Sequence, residues 1–398
     1  MPKNHSHKEL PIPSDEAILH SQQLSKQIRI ALARHKTMTF AQYMQKTLYT
    51  PNLGYYTNGL TKIGAQGDFI TAPEISPIFS RCLAKQAQQV LQILEEANII
   101  EFGAGRGIMA RDILLELQTL NQPIKRYCII ELSAELQQRQ KETLQTGLPP
   151  ELFQKVTWLN QLPSTPISAV IFANEVLDAM PFERLRIEPQ HTLRGHVRYN
   201  EQKEKFEWDY QPITNAHLQQ FANRLIQHIG EVSELGYHTE INLHIKPWLE
   251  SLNNILSQGA VILIDYGYPR EEYYQSARVM GTLRCHYQHR AHQNPFFYPG
   301  LQDITAHVDF TAVAEAGFES GFKVSGYTTQ ANFLMGSGLL EMSSDSDASV
   351  TEQLKIAQQI KTLTLPNEMG ENFKVIALTK QCDLSLIGFS VRDLRHQL

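Results

Sequence analysis

A glycine-rich segment directly after an apolar run is the first feature of the sequence that could bind a ligand. Residues 100–107 read IEFGAGRG, with glycines at Gly103, Gly105 and Gly107. Glycines between a strand and a helix let the backbone turn tightly and let a ligand approach it closely. The nicotinamide fingerprint Gly-x-Gly-x-x-Gly would place its third glycine at position 108, where this chain has isoleucine. Nicotinamide binding is therefore disfavoured, and a purely structural turn remains an alternative.

Two carboxylates accompany these glycines. Glu101 precedes the first glycine by two positions, and Glu131 lies at the end of the next apolar run. The pattern Glu-x-Gly-x-Gly-x-Gly resembles the loop that binds S-adenosyl-L-methionine in class I methyltransferases. A carboxylate at the position of Glu131 can accept hydrogen bonds from both hydroxyls of an adenosine ribose. We predict that the three glycines, Glu131 and its neighbour Leu132 bind this cofactor, with Glu101 behind the loop.

An acidic block follows the apolar run 169–173 and could hold a cationic methyl acceptor. It contains Asn174, Glu175 and Asp178, at a strand end where ligands of open α/β sheets bind. A guanidinium, with a pKa of about 13.8, is not deprotonated in solution; adjacent carboxylates would hold it by charge-assisted hydrogen bonds. We predict that Glu175 and Asp178 are catalytic, and that Asn174 orients the substrate or the amino-acid end of the cofactor. The alternative is a polar loop whose aspartate caps the next turn.

The segment 51–73 is rich in glycine and turn residues, and loops of this length are often functional. We predict that Asp68 and Thr71 contact the cofactor and that Glu74 faces the acceptor. Alternatively, Asp68 and Thr71 satisfy only local backbone donors.

A polar stretch at 281–292 reads GTLRCHYQHRAH. We predict a lid there, with Tyr287 and His289 near the acceptor and His289 as a candidate proton acceptor. Cys285, His289 and His292 also resemble zinc ligands. A structural zinc site needs four ligands, however, and no second cluster accompanies these three, so we predict no metal.

The elements that must position these residues alternate between strands and helices. Such alternation favours a parallel sheet that is covered on both faces. Apolar runs predict its strands at 99–102, 127–132, 156–159, 169–173 and 261–265, and its last two strands at 322–328 and 373–379.

An insertion interrupts this order. It shows the polar–apolar alternation of antiparallel strands at 184–188, 195–199 and 205–210, and it has helical periodicity at 216–229 and 245–256. We therefore predict four segments: an N-terminal helical extension with a cofactor-covering loop (1–73), the first part of the core (74–182), an inserted substrate-binding subdomain (183–257) and the second part of the core (258–398).

Composition and charge disfavour several classes of protein. Lys and Arg number 36 against 41 Asp and Glu, a net charge of −5, so the basic surface of a duplex-DNA binder is not expected. No apolar stretch approaches the roughly 18 residues of a membrane span. The N-terminus lacks a secretory core and an Arg-rich, acid-poor presequence, and the four scattered cysteines are typical of reduced thiols. We expect a cytoplasmic bacterial protein; a mitochondrial location would need a non-standard import signal.

Motifs in chain order resemble the MidA-like family, whose mitochondrial members are complex I assembly factors. These motifs are GYYTNG, GDFITAPEISPIF, EFGAGRG, NEVLDAMPFERL, IDYGYP, GTLRCHYQH and QDITAHVDFTAV. The resemblance implies an α/β fold: a seven-stranded Rossmann-like class I methyltransferase sheet with an inserted α+β subdomain and an N-terminal helical extension. It also implies S-adenosyl-L-methionine as the cofactor and, in the mitochondrial members, symmetric dimethylation of an arginine on a complex I subunit.

The leading hypothesis is therefore a protein-arginine N-methyltransferase that acts on a respiratory-complex subunit or another protein. A small-molecule methyltransferase is a second hypothesis, with the insertion closing over a pocket. A third is an assembly chaperone that binds the cofactor without turnover. A homodimer is the commonest oligomer and is expected on that ground alone.

Overall fold

The computed structural model describes residues 10–58, 70–230, 232, 236–343 and 349–398. Within these ranges the α-helices are α1 (Asp15–His35), α2 (Phe40–Tyr49), α3 (Ala72–Ile75), α4 (Pro77–Leu91), α5 (Ile108–Thr119), α6 (Ala134–Gly147), α7 (Pro150–Phe153), α8 (Ala216–Ile229), α9 (Ile245–Ile255), α10 (Arg270–Tyr273), α11 (Phe310–Glu319), α12 (Gln330–Gly336), α13 (Leu339–Ser343) and α14 (Val350–Thr364). Two short 3₁₀ helices, Ile387–Phe389 and Arg395–Gln397, follow the last strand.

The strands of the same ranges are β1 (Met38–Thr39), β2 (Asn98–Phe102), β3 (Arg126–Ile130), β4 (Val156–Leu159), β5 (Ile167–Asn174), β6 (Glu183–Ile187), β7 (Thr192–Asn200), β8 (Lys205–Pro212), β9 (Tyr237–Ile241), β10 (Leu256–Tyr268), β11 (Arg284–Tyr287), β12 (Arg290–His292), β13 (Asp303–Thr305), β14 (Val308–Asp309), β15 (Lys323–Thr329) and β16 (Phe373–Lys380).

The central sheet has the strand order β15-β16-β10-β5-β2-β3-β4. The strands β10, β5, β2, β3 and β4 are parallel, whereas β16 is antiparallel to both of its neighbours. Residues of β2 and β5 are buried on both faces, as expected for parallel strands that helices cover on both sides. The α/β fold is thus confirmed. The predicted seven strands correspond to this path, and the short β14 adds an eighth strand at the end of β10.

The register of the parallel strands aligns their carboxyl ends. Phe102 of β2 lies opposite Ile130 of β3 and Ala173 of β5, and Asn174 lies opposite Ile264 of β10. The segments that follow these strands therefore leave the sheet along one edge. This edge carries the glycine loop, Glu131 and the acidic block.

A second, antiparallel sheet is built from the predicted insertion. Its order is β1-β7-β6-β9, with β8 also paired to β7. The sequence predicted β6, β7 and β8 but missed β9 and the N-terminal β1, which pairs Thr39 with His196. Helix α9 also falls inside the predicted insertion, yet its buried residues pack in the same apolar cluster as β5 and β10.

The stretch predicted as a lid forms strands. β11 pairs antiparallel with β12 and with β13, in a small third sheet. Gln288 and His289 have φ of +45° and +60°, so they form the turn of the β11–β12 hairpin.

The three largest apolar clusters of the described residues hold these parts together. Two of them cover the two faces of the central sheet. The third joins α1 and α2 to the second and third sheets through side chains such as Ile28, Phe40, Val197 and Ile304. Among the described residues, no helix is long and apolar enough to cross a membrane.

Candidate active site

A cavity of roughly 530 Å³ lies along the carboxyl edge of the central sheet. Its walls are the segments after β2, β3 and β5, together with Tyr266 of β10 and side chains from α2, β11 and β13. Its volume is within the range of about 300–1,000 Å³ that is typical of small-molecule sites. Most of the predicted site residues meet in this one cavity.

The glycine loop forms one end of the cavity and needs its glycines. Gly103, Gly105 and Gly107 have φ of +66°, +52° and +83°, a region that residues with a Cβ rarely adopt. A Cβ at position 103 would lie 2.8 Å from Val176 Cγ2, and one at position 107 would lie 3.4 Å from Gln140 Cα. The loop is therefore shaped to leave a concave backbone surface between β2 and α5.

Glu131 is held against this loop by two donors. The Ser133 backbone N–H donates to its Oε1 at 2.8 Å, and Gln140 Nε2 donates to its Oε2 at 3.2 Å. Gln140 Nε2 also donates to the Gly105 carbonyl at 3.0 Å, while Gln140 Oε1 accepts from Trp158 Nε1 at 3.0 Å. Gln140 thus fixes the distance between the carboxylate and the loop. The sequence offered no local signal for this role, because Gln140 lies inside α6.

Glu101 and Leu132 also line the cavity at this end. Glu101 is buried, accepts a hydrogen bond from the Tyr127 hydroxyl at 2.6 Å, and has its pKa raised to about 7 by burial. Leu132 is 76% exposed. An exposed leucine in a cavity wall offers an apolar contact surface for a flat ligand group.

The acidic block follows β5, the neighbour of β2 in the sheet, and lines the cavity beside the glycine loop. Glu175 has a φ of +53°, which is uncommon for a residue other than glycine and marks stored backbone strain. Asn174 Nδ2 donates to Glu175 Oε1 at 3.2 Å, and the Tyr266 hydroxyl donates to Asp178 Oδ2. Burial, and then the charge of Asp178, raises the pKa of Glu175 to about 8. Burial also raises the pKa of Asp178.

Asp265 positions this block from beneath. Its Oδ2 accepts from the backbone N–H groups of Leu177 at 2.9 Å and Asp178 at 3.2 Å, and its Oδ1 accepts from that of Tyr266 at 2.9 Å. Asp265 is fully buried, and burial raises its pKa. In the sequence Asp265 marks only the end of an apolar run, so its role in holding the backbone of the acidic block was not predicted.

Four further side chains face the acidic block, and the sequence analysis missed them. The Tyr56 hydroxyl donates to Asp303 Oδ1 at 2.8 Å. His286 and His307 line the same wall, and burial lowers the pKa of both, to about 4 for His307. Successive side chains of a strand point to opposite faces. On β11, His286 therefore faces the cavity while its neighbour Cys285 is buried in a core.

His289 does not reach the cavity. It is exposed in the hairpin turn, outside the cavity lining, because the chain reverses there after β11. Tyr287 is buried and is also outside the lining. Cys285 is fully buried, and among the described residues no group of three or more His, Cys, Asp or Glu side chains could hold a metal ion.

The early segment contributes Thr71 and Glu74 to the cavity wall. Glu74 forms an ion pair with Arg106 of the glycine loop at 3.3 Å, and burial raises its pKa. Asp68 lies outside the described residues.

Comparison with known proteins agrees with this arrangement. The family model described as "Putative S-adenosyl-L-methionine-dependent methyltransferase" matches residues 82–328. The chain belongs to this methyltransferase family. The methyltransferase is also 37% identical to a Burkholderia thailandensis protein whose crystal structure contains S-adenosyl-homocysteine, with a TM-score of 0.92 over 98% of this chain and all of that one.

More distant relatives of the methyltransferase carry functional names. It is 26% identical to "Protein arginine methyltransferase NDUFAF7 homolog, mitochondrial" of Drosophila melanogaster, over 95% of this chain and 89% of that protein. It is also 26% identical to "Protein arginine methyltransferase NDUFAF7, mitochondrial" of Homo sapiens, over 86% of this chain and 80% of that protein.

The residues of the cavity fit S-adenosyl-L-methionine, on which the methyltransferase depends. Gly103 and Gly105 line the cavity, and without a Cβ they let a ligand approach the backbone closely. Both oxygens of Glu131 keep lone pairs beyond those that accept from the protein. Asn174 Oδ1 is buried and accepts no hydrogen bond from the described part of the chain, so it can accept one from a cationic amino group.

Proposed function

We propose that the methyltransferase methylates an arginine side chain of a protein. The observation that carries this proposal is the pair of carboxylates, Glu175 and Asp178, that line the same cavity as the glycine loop. The names of the distant relatives support it. A guanidinium is planar and cationic, and it presents several donors to adjacent carboxylates.

We assign the residues that line the cavity to the two reactants. Gly103, Gly105, Gly107, Glu131 and Leu132 would hold the cofactor, with Glu101 behind the loop and Thr71 in the facing wall. When bound, S-adenosyl-L-methionine supplies a methyl group on a positively charged sulfur, which leaves as a thioether. Asp68 stays a predicted contact.

In the wall formed by the acidic block, Glu175 and Asp178 would bind the guanidinium and polarise one of its nitrogens. Asp178 is oriented by the hydroxyl of Tyr266 and by the backbone contacts of Asp265. Asn174 would orient Glu175 through the hydrogen bond between them. Such positioning contributes strongly to the rate of a displacement reaction.

The reaction forms one C–N bond, breaks one C–S bond and releases one proton from the acceptor nitrogen. Glu175 is suited to accept this proton once it has ionised beside the bound guanidinium, because burial favours its protonated form and raises its pKa to about 8 in the free protein. His289 has no role in this scheme, since it lies outside the cavity lining.

The protein substrate is proposed to be a subunit of a respiratory complex. The motifs of the MidA-like family support this choice.

The test is incubation of the purified protein with methyl-labelled S-adenosyl-L-methionine and an extract from cells that lack it. Mass spectrometry should find label on an arginine of one protein. Glu175→Gln should abolish transfer while S-adenosyl-homocysteine still binds. Glu188→Gln is the matched control: it removes the same charge from a surface ion pair with Arg186, outside the cavity.

Label on a small molecule or on a residue other than arginine would contradict the proposal. So would the absence of any label while cofactor binding is intact, and capture of a stable partner in that case would favour the assembly chaperone.

A further inference from the structure

A second cavity, of roughly 330 Å³, adjoins the first. It lies between the end of β9 and the helices α9, α10 and α11 of the core. Asp178 and His307 line both cavities. A ligand in the second cavity would therefore lie directly beside the acceptor end of the first.

The walls of the second cavity are largely apolar. They include aromatic side chains at Phe182, Phe221, Tyr273 and Tyr274, and small side chains such as Ala312. Walls of this kind suit a chain of methylene groups, which long cationic side chains bury while their charge is held elsewhere.

The polar groups of the second cavity are mostly acidic. Among the described residues that line it, Asp178, Glu240, Glu250 and Asp309 stand against a single cation, Lys246. Lys246 forms an ion pair with Glu319 at 2.6 Å, outside the cavity. Glu240 is paired with Arg184. Asp178, Glu250 and Asp309 therefore supply the negative charge that a ligand would meet.

Some of these acceptors are buried without a donor. Asp178 Oδ1, Asp309 Oδ2 and His307 Nδ1 accept no hydrogen bond from the part of the chain that the structure describes. Asp309 Oδ2 has an ion-pair contact of 3.6 Å with Arg270 Nε, but Arg270 makes two shorter bonds, of 2.7 and 2.6 Å, to Glu315. Buried acceptors of this kind are costly, and a ligand with several N–H donors would satisfy them.

From these observations we propose that the second cavity is a subsite for a second basic side chain, arginine or lysine, of the same protein substrate. This inference rests on the proposed function, because it assumes that the first cavity accepts an arginine. Since the two cavities share Asp178 and His307 as a wall, the second basic residue lies within a few positions of the methylated arginine.

The test uses short acetylated glycine peptides and the intact protein saturated with S-adenosyl-homocysteine. One peptide contains a single arginine, and three others contain a second arginine one, two or three positions away. Calorimetry should show that at least one two-arginine peptide binds about tenfold more tightly than the single-arginine peptide.

The double variant Glu250→Gln/Asp309→Asn removes two charges of the subsite and keeps the fold. Glu250 is exposed, and asparagine at 309 can still cap α11 as Asp309 does through the Ala312 N–H. In this variant a two-arginine peptide should bind only about twofold more tightly than the single-arginine peptide, the statistical factor for having two arginines. The affinity for S-adenosyl-homocysteine should stay within about twofold of wild type. Glu207→Gln is the control, because it removes a charge from an ion pair with Arg198 outside both cavities.

Equal binding of all four peptides to the wild type, or an advantage that persists in the double variant, would overturn the subsite. Methyl transfer to the same peptides is measured separately. Its absence would count against the proposed function alone, since the binding comparison needs no turnover.

Discussion

Replacing Glu131 by glutamine should weaken cofactor binding by an amount that the surrounding hydrogen bonds determine. Both carboxylate oxygens already accept from protein donors, Ser133 N–H and Gln140 Nε2. Gln140 cannot turn its amide around, because its Oε1 accepts from Trp158 Nε1, which is only a donor. The new amide nitrogen at 131 must therefore face one of two donors or rotate away.

The expected loss has two parts. Two charge-assisted hydrogen bonds to the ribose become neutral ones, which costs about 1 kcal/mol each. Returning a rotated side chain to the binding geometry adds up to about 1 kcal/mol. A total of about 2–3 kcal/mol corresponds to roughly a 30- to 150-fold weaker dissociation constant. The cofactor-free protein should also lose about 1–3 kcal/mol of unfolding free energy, because a buried donor stays unsatisfied.

Calorimetric titration with S-adenosyl-homocysteine measures this effect without turnover. Glu135→Gln is the control: it makes the same change in the first turn of α6, just after Glu131, where Glu135 forms an i,i+4 ion pair with Arg139 and the two side chains are 38% and 34% exposed. Such a pair contributes about 0–1 kcal/mol, so binding should change less than about threefold. If Glu131→Gln binds within threefold of wild type, or if both variants weaken binding equally, Glu131 does not hold the ribose.

Three further predictions follow from the same cavity. At pH 8, Glu175→Gln should be more stable than the wild type by on the order of 1–2 kcal/mol. The reason is that the raised pKa of Glu175 makes the wild type lose stability as the pH rises from about 4.5 to about 8. The difference should shrink at pH 5, and equal melting temperatures at pH 8 would contradict the prediction. Binding of an arginine peptide at pH 7 should release close to one proton, as the carboxyl of Glu175 ionises beside the guanidinium; titrations in buffers of different ionisation enthalpy measure this release, which should vanish in Glu175→Gln. Gly103→Ala and Gly230→Ala should each lose about 1–3 kcal/mol of stability, because both glycines have a positive φ, +66° and +72°. Only Gly103→Ala should also weaken S-adenosyl-homocysteine binding, by at least about tenfold, since its Cβ would meet Val176 whereas nothing lies within 4 Å of one at Gly230.

Local patterns predicted most of the central sheet. The strand 156–159 and the helix 216–229 have the predicted bounds, and the other core strands differ by a few residues. These elements were predictable because helices cover the sheet and each strand is therefore a continuous apolar run. The strands β1 and β9 were missed because they are short or polar, and only pairing with distant strands stabilises them.

The site residues that follow a strand directly were predicted from the sequence. Those that act by contacting residues distant in sequence were missed. The glycines, Glu131 and the acidic block follow strands directly, so their places at the sheet edge can be read from the chain. Gln140, Asp265 and Asp303 act on residues that lie far away in sequence. His289 was preferred over His286 because the hairpin turn, which changes the direction of the chain, left no clear glycine or proline signal.

The pairing of β1 with β7 has a consequence for synthesis on the ribosome. Thr39 can pair only after His196 has been synthesised. The apolar faces of α1 and α2 are covered only when Val197, Phe206 and Ile304 have been synthesised. The N-terminal helices therefore emerge with their apolar residues exposed and remain so while most of the chain is translated. Such a segment is open to aggregation in the meantime, and a chaperone that holds it early would protect the nascent chain.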